Sequence, residues 1–257
     1  MKIEILVAAH KEFPMPKKEG YLPVLVGAVK NYKPGISYQR DDDGENISSK
    51  NPNYNELTAV YWAWKNLKDV DAIGLVHYRR LLFDKRPYSL DNVISIDKVN
   101  QLLQKYDVIL PKKRNYYIET NYSHYIHAHH KEPLDEARKV IAEAYPNYLP
   151  AFDKVMKKRG AHMFNMFIMK RNAFESYCSF MFNVLGKLEK RIDISEYSVK
   201  EARVYGYVSE LLMDVWLYTN AFTYDEIPWG QIGGKNTIKK GISLIKRKVG
   251  IKTKTHF

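Results

Sequence analysis

Four consecutive side chains, His77-Tyr78-Arg79-Arg80, close an apolar run, Ile73-Gly74-Leu75-Val76, with hydrogen-bonding and cationic groups. Two adjacent arginines suit a phosphate or diphosphate, because each guanidinium gives a forked pair of charge-assisted hydrogen bonds. A histidine beside them can ligate a metal or donate to a phosphate oxygen. At Ala8-Ala9-His10 small side chains would let a flat base approach the backbone. Glu210 is read at or near the start of a helix, where the macrodipole keeps a carboxylate ionised, and such a group can take a proton from an attacking hydroxyl.

Further candidates are polar residues in unusual company. Asn165 lies among apolar neighbours and must find hydrogen-bond partners, either backbone groups or sugar hydroxyls. Between residues 115 and 130 the chain carries Tyr116, Tyr117, Tyr122, His124, Tyr125, His127, His129 and His130. Flat faces with neutral donors and acceptors suit carbohydrate, and histidines at this density also suit zinc. The spacing does not make a clear ligand set, so the stretch is read as a mobile loop covering an acceptor. Asp41-Asp42-Asp43 invites a hard cation, but lacks the alternation of a calcium loop and is read as a solvated turn.

The elements that position these groups follow from periodicity. A run of four or more apolar residues reads as a strand buried on both faces, and in an open α/β sheet ligands collect beyond the carboxyl ends of such strands. Strands are expected over residues 3–9, 21–28, 73–80, 106–111 and 161–170. Residues 55–67 read as a helix with Leu57, Val60, Tyr61, Trp64 and Leu67 on one face and Trp62 packed off it. Further helices are expected over 99–105, 133–144, 174–189 and 211–217. The order strand, loop, helix, strand is that of an α/β domain.

With 257 residues, 45% of them hydrophobic, the chain can bury a substantial core. No apolar stretch is long enough to cross a bilayer and residues 1–4 show no signal-peptide pattern, so a cytoplasmic protein is expected. The one cysteine, Cys178, excludes an internal disulfide and sits in an apolar stretch as a packing residue. A net charge of +12 implies an anionic partner. Much of that charge lies in the tail, residues 231–257, separate from a domain of residues 1–230. There Ile238, Ile242, Ile245 and Val249 share one helical face flanked by Lys239, Lys240, Arg247 and Lys248. This is the pattern of an amphipathic helix held at the anionic inner surface of a cell membrane.

Two long motifs carry a resemblance. Asn55-Glu56-Leu57-Thr58 with Tyr61-Trp62-Ala63-Trp64-Lys65-Asn66, followed by residues 73–80, resembles bacterial capsule and exopolysaccharide glycosyltransferases long filed as a domain of unknown function. Residues 5–11, 162–167 and 203–210 are similar to that family as well, so the likeness extends from residue 1 to about 230. It implies a GT-A-like fold, α/β with a central mixed sheet flanked by helices, and sugar transfer from a nucleotide donor to a lipid-linked glycan. The donor is expected to be UDP-linked, with galactofuranose a candidate sugar. Many GT-A enzymes hold a divalent metal through Asp-x-Asp at the end of a central strand. Here His77-Tyr78-Arg79-Arg80 stands in that place, so the arginines are expected to neutralise the diphosphate, with Arg203 as a third cation. No cofactor is required on this reading, which leaves room for manganese or magnesium.

The resulting assignment gives Ala8, Ala9, His10, His77, Tyr78, Arg79, Arg80 and Arg203 to the donor, His124, His127, His162 and Asn165 to the acceptor, Glu210 to catalysis and no residue to a metal. Competing readings are a noncatalytic module binding glycan or a lipid surface, and a nucleic-acid-binding protein. No nucleic-acid motif accompanies the charge, so nucleic acid is not an expected partner.

Overall fold

The computed structural model describes residues 1–232. The expected basic helix of the tail therefore lies outside the described residues. The chain opens with strands β1 (Ile3–Ala9) and β2 (Tyr21–Leu25), a short helix α1 (Ala28–Asn31), β3 (Gln39–Arg40), α2 (Asn51–Tyr54), α3 (Leu57–Asn66) and β4 (Ala72–His77). It continues through β5 (Arg80–Leu82), α4 (Ile96–Leu103), β6 (Val108–Pro111), β7 (Arg114–Asn115), α5 (Asn121–Ala128), α6 (Glu132–Ala144) and α7 (Leu149–Lys157). The last elements are β8 (Gly160–Ala161), β9 (Phe167–Lys170), α8 (Arg171–Glu189), α9 (Val204–Thr219), β10 (Tyr224–Ile227) and β11 (Trp229–Gln231).

The main sheet runs β10-β6-β9-β4-β1-β2-β3, with β5 paired to β4 and β11 paired to β5. Strands β3, β2, β1 and β4 are mutually parallel, whereas β9 runs antiparallel between β4 and β6. This is the expected mixed sheet. One apolar cluster joins a sheet face to α3, α6, α7, α8 and α9; the other joins the opposite face to α4 and β5. Among the described residues no helix is long and apolar enough to cross a membrane.

The chain steps outward from β1 through β2 to β3, then returns to lay β4 on the other side of β1. Loops on either side of that reversal leave in opposite directions and open a crevice at the carboxyl ends of β1 and β4. Ala8 is in register with His77 there, so the two leading candidate segments are neighbours.

Several expectations are revised. The strand over 73–80 ends at His77; Tyr78 and Arg79 form a two-residue turn, and Arg80 starts β5 directly opposite His77. Paired residues of a hairpin project to one face, which puts the His77 and Arg80 side chains together. The strand over 21–28 stops at Leu25, and that over 161–170 is broken by Phe164 and Asn165 in left-handed conformation, φ 76° and 54°. The loop expected over 115–130 contains helix α5, capped by Thr120, whose hydroxyl accepts from the Ser123 N–H while Ser123 reaches back to the Thr120 N–H. In α3 the fully covered residues include Ala59, Trp62 and Ala63 as well as Leu57 and Val60, because the helix packs against α8 within the apolar cluster that covers one sheet face. Trp62 is packing, and Cys178 is buried with burial pushing its thiol up.

The three aspartates divide. Asp41 is fully buried, its carboxylate accepting from the N–H groups of Gly27 and Ala28 at 2.7 and 2.9 Å and from the Ser48 hydroxyl. Asp42 pairs with Arg40, and Asp43 is exposed. Asp41→Ala is expected to cost about 2–3 kcal/mol in urea unfolding because it leaves buried donors unpaired, whereas Asp43→Ala changes stability by less than about 0.5 kcal/mol.

Candidate functional site

Two adjoining cavities open at the carboxyl ends of β1 and β4. The first, about 410 Å³, is lined by Ala8, Ala9, His10, His77, Tyr78, Arg79, Arg80 and Arg203, together with Val26, Asn51, Asn55, Glu56 and Gln231. All eight residues read from the sequence as donor-binding thus face one space. The second, about 260 Å³, is lined by Arg114, Tyr116, Asn121, His124, Tyr125, His129, Lys200, Tyr207 and Glu210 among others. Asn55, Glu56, His77, Arg80 and Arg203 belong to both and form the wall between them.

The first cavity is cationic. Burial, then the nearby Lys11, Arg79 and Arg203, hold His10 below its ordinary value. His10 and Phe13 pack against Tyr78, the Phe13 and Tyr78 rings stacking at 3.8 Å, and the Arg79 guanidinium lies over both of those stacked rings. Arg79 itself is exposed to the cavity, its chain fixed at the turn by the Ile232 N–H bonding its carbonyl. Arg203, at the start of α9, donates through Nε to Asn55 Oδ1 at 2.7 Å. Asn55 takes a left-handed φ of 52° and lies against Gly206 so closely that a Cβ there would sit 2.1 Å from its Nδ2. Glycine at 206 is what lets the Asn-Glu segment reach the cavity wall.

The strand end where GT-A enzymes hold a metal carries guanidinium groups, which do not ligate cations. Among the described residues no three His, Cys, Asp or Glu side chains gather as a metal-binding set. The residues present do not fit a metal at this position.

The shared wall is built by hydrogen bonds. His77 Nε2–H donates to the Phe164 carbonyl at 2.6 Å, which fixes its tautomer, and burial keeps the ring below its ordinary value and neutral. Asn165 Nδ2 donates to Glu56 Oε1 at 2.6 Å and to the Gly206 carbonyl, while the Ser209 hydroxyl donates to Asn165 Oδ1. Arg80 lies over the Phe164 ring, with Glu210 and Glu56 close enough to favour its charge against burial.

Glu210 is not at the beginning of a helix. Helix α9 starts at Val204, so Glu210 stands well inside it, beyond the reach of the terminal dipole, which fades within the first turn. The expected direction of the shift is reversed: burial first, and then the carboxylate of Glu56, push Glu210 up to about 7, against Arg80, Arg114 and the Phe164 N–H. Glu210 lines only the second cavity.

Of the four acceptor candidates, only His124 lines either of these two cavities. His124 Nδ1 donates to Glu119 Oε2 at 2.6 Å, and His127 Nδ1 bonds the other oxygen at 2.8 Å from a half-exposed position. Burial pushes the Glu119 carboxyl up, but bonds from His127 and His124 outweigh it and hold it below the usual range. His162 is consumed by Asp214 at 2.8 Å and Glu226 at 3.1 Å and is 2% exposed, which ties it to the scaffold rather than to an acceptor. Asn165 is spent on Glu56 and α9. Among the lining residues, the sequence reading did not single out Glu56 or Asn121, and it read Tyr116 only as one of the Tyr and His side chains of residues 115–130. Glu56 was hidden in a segment that reads as a helix start, although a carboxylate just ahead of an apolar helix was a usable signal.

Because Glu210 keeps its proton in the folded state up to about 7 while the unfolded chain releases it near 4.5, stability falls as pH rises through that interval and levels off above it. Glu210→Gln removes the burden and is expected to raise unfolding stability at pH 8 by about 3 kcal/mol with little change at pH 4, as read by urea titration.

A search of curated proteins finds no match. The apo structure of WbbM, a bifunctional glycosyltransferase, superposes with a TM-score of 0.83 at 26% identity, covering 91% of this chain and 46% of WbbM. The chain thus spans about half the length of that protein, and its mixed sheet is GT-A-like. The sequence also matches, over residues 4–221, the family described as a domain of unknown function, DUF4422, and the chain belongs to that family.

Proposed function

We propose that the protein is a glycosyltransferase that moves a sugar from a nucleotide-sugar donor to a glycan acceptor, inverting the anomeric carbon. The observation that carries this reading is the placement of Glu210 beside a cationic cleft. Cations line both cavities, Arg79 the first, Arg114 and Lys200 the second and Arg80 and Arg203 both, and a carboxylate poised near neutrality faces only the second. Its likeness to WbbM, a bifunctional glycosyltransferase, supports the reaction class.

On this reading the nucleotide lies against Ala8, Ala9 and His10, and Arg79, Arg80 and Arg203 grip the diphosphate. The acceptor hydroxyl enters through the second cavity, where ionised Glu210 takes its proton as the oxygen attacks the anomeric carbon. The bond from that carbon to the diphosphate oxygen breaks, and the nucleoside diphosphate leaves with the electron pair, its growing charge held by guanidinium groups already in place. Neutral His77 and the bond from Asn165 to Glu56 keep the wall in register. No step uses a metal. The family resemblance favours a UDP-linked donor, with galactofuranose the candidate sugar, and a lipid-linked acceptor of capsule or exopolysaccharide synthesis. The basic tail would keep the enzyme at the membrane carrying that acceptor.

Calorimetry with UDP and UDP-sugars in EDTA is expected to show binding that Arg79→Ala weakens by about ten- to a hundredfold. Binding only with manganese, or unchanged by the substitution, contradicts the assignment. In steady-state kinetics kcat/KM should rise with pH through about 7 as Glu210 ionises. Glu210→Gln should lower kcat by about 10²–10⁴ with UDP affinity nearly unchanged. A near-normal rate in that variant excludes the role.

A further inference from the structure

We infer that the face formed by β7, β8 and the last turn of α7 is a docking surface for an anionic lipid bilayer, entered by Tyr117 and Ile118 and gripped by the cations around them. The surface is distinct from the basic tail and goes beyond the proposed reaction, because it calls on no catalytic group. Its centre is a strained turn. Tyr117 has a φ of 57°, and the Ile118 N–H bonds the Tyr116 carbonyl across it, a three-residue turn of the rare, strained kind. Left-handed backbone is costly for a side chain this large, yet the ring is 77% exposed and Ile118 beside it is 42% exposed. The free protein thus holds two large apolar groups in water on a strained backbone, which points to a partner that covers them.

Cations surround that turn. Strand β7 pairs with β8, Asn115 opposite Gly160, which brings Arg159 alongside, and its Nη1 donates to the Tyr117 carbonyl at 3.2 Å. At the end of α7 the ammonium groups of Lys154 and Lys158 lie 4.9 and 4.2 Å from the ring centre of Tyr218, and that of Lys113, just before β7, lies 5.7 Å from the ring centre of Tyr224. Both rings are exposed, as are Lys112 and Lys157. The nearby carboxylates are engaged, Asp153 by Arg138 at 2.7 Å and Glu226 by His162 at 3.1 Å and Lys113 at 3.6 Å, so positive charge is in excess. Amphipathic rings beside ammonium and guanidinium groups match the headgroup level of a bilayer, where the cations meet lipid phosphates and the rings meet the acyl boundary. Nucleic acid would use the rings and the charge but not the aliphatic Ile118, which favours lipid. Arg114 and Tyr116, in the same stretch of chain, line the second cavity, so the surface adjoins it.

Cys178 is fully buried, so in full-length Tyr117→Cys an environment-sensitive NBD fluorophore attaches at position 117. With vesicles of equal parts phosphatidylethanolamine and phosphatidylglycerol its emission is expected to shift to the blue and to be quenched by doxyl-labelled lipid. With phosphatidylcholine vesicles it should stay as in buffer. In unlabelled protein the double substitution Lys154→Glu and Lys157→Glu, at exposed positions that line neither cavity, is expected to weaken co-sedimentation with the anionic vesicles about tenfold or more. A label that stays in water while the protein sediments with vesicles would mean that another part of the chain docks, and would overturn the inference. So would undiminished binding of the double variant, or no sedimentation of the wild type with anionic vesicles. Binding of polyuridylate that the same two substitutions abolish, with no entry of the label into vesicles, would assign the face to nucleic acid instead. None of these readings depends on nucleotide binding, so the surface stands or falls apart from the transferase reaction.

Discussion

The peptide groups of Phe164 are the hinge of the whole site. In left-handed conformation, costly for a bulky side chain, this residue turns its carbonyl to His77 and its N–H to Glu210. One residue thereby joins the end of β4 to the middle of α9. Asn165 repeats the device one step on, filling its amide with Glu56, Gly206 and Ser209. Without these two residues β9 would extend as a regular strand, and the two cavities would have no common wall.

The electrostatic character of the site follows from that wall. Two carboxylates lining a buried cavity repel each other, and the repulsion adds to desolvation in raising Glu210. Guanidinium groups nearby limit the rise, so the group stays within the range where both protonation states are populated near neutral pH. A base of this kind is useful for catalysis and costs stability in the free protein, the usual exchange at a functional site.

Residues with strong local signals were legible from sequence. The apolar runs that end in Ala8-Ala9-His10 and in His77-Tyr78-Arg79-Arg80 located the first cavity, because strand periodicity and the α/β rule suffice to bring two strand ends together. What depends on distant partners was not legible. His162 and Asn165 read as acceptor candidates and Asp41 as part of a solvated turn, and each is consumed by groups elsewhere in the chain, such as Asp214, Ser209 and Gly27. The start of α9 was misplaced because Gly206, Tyr207 and Ser209 are weak helix formers whose place is set by packing, and with it went the electrostatics of Glu210. Helix α5 was hidden by its histidines, although Thr120 and Ser123 stood at capping distance.

The central claim is that diphosphate and acceptor meet from opposite sides of the wall formed by Glu56, His77, Arg80 and Arg203. A crystal structure with UDP bound tests it most directly. The account predicts the diphosphate within hydrogen-bonding distance of Arg79, Arg80 and Arg203, the uracil nucleoside beside Ala8 and His10, and Glu210 facing an unfilled acceptor cavity. A diphosphate seated in the cavity of Tyr116 and Glu210, or away from the ends of β1 and β4 altogether, would contradict it.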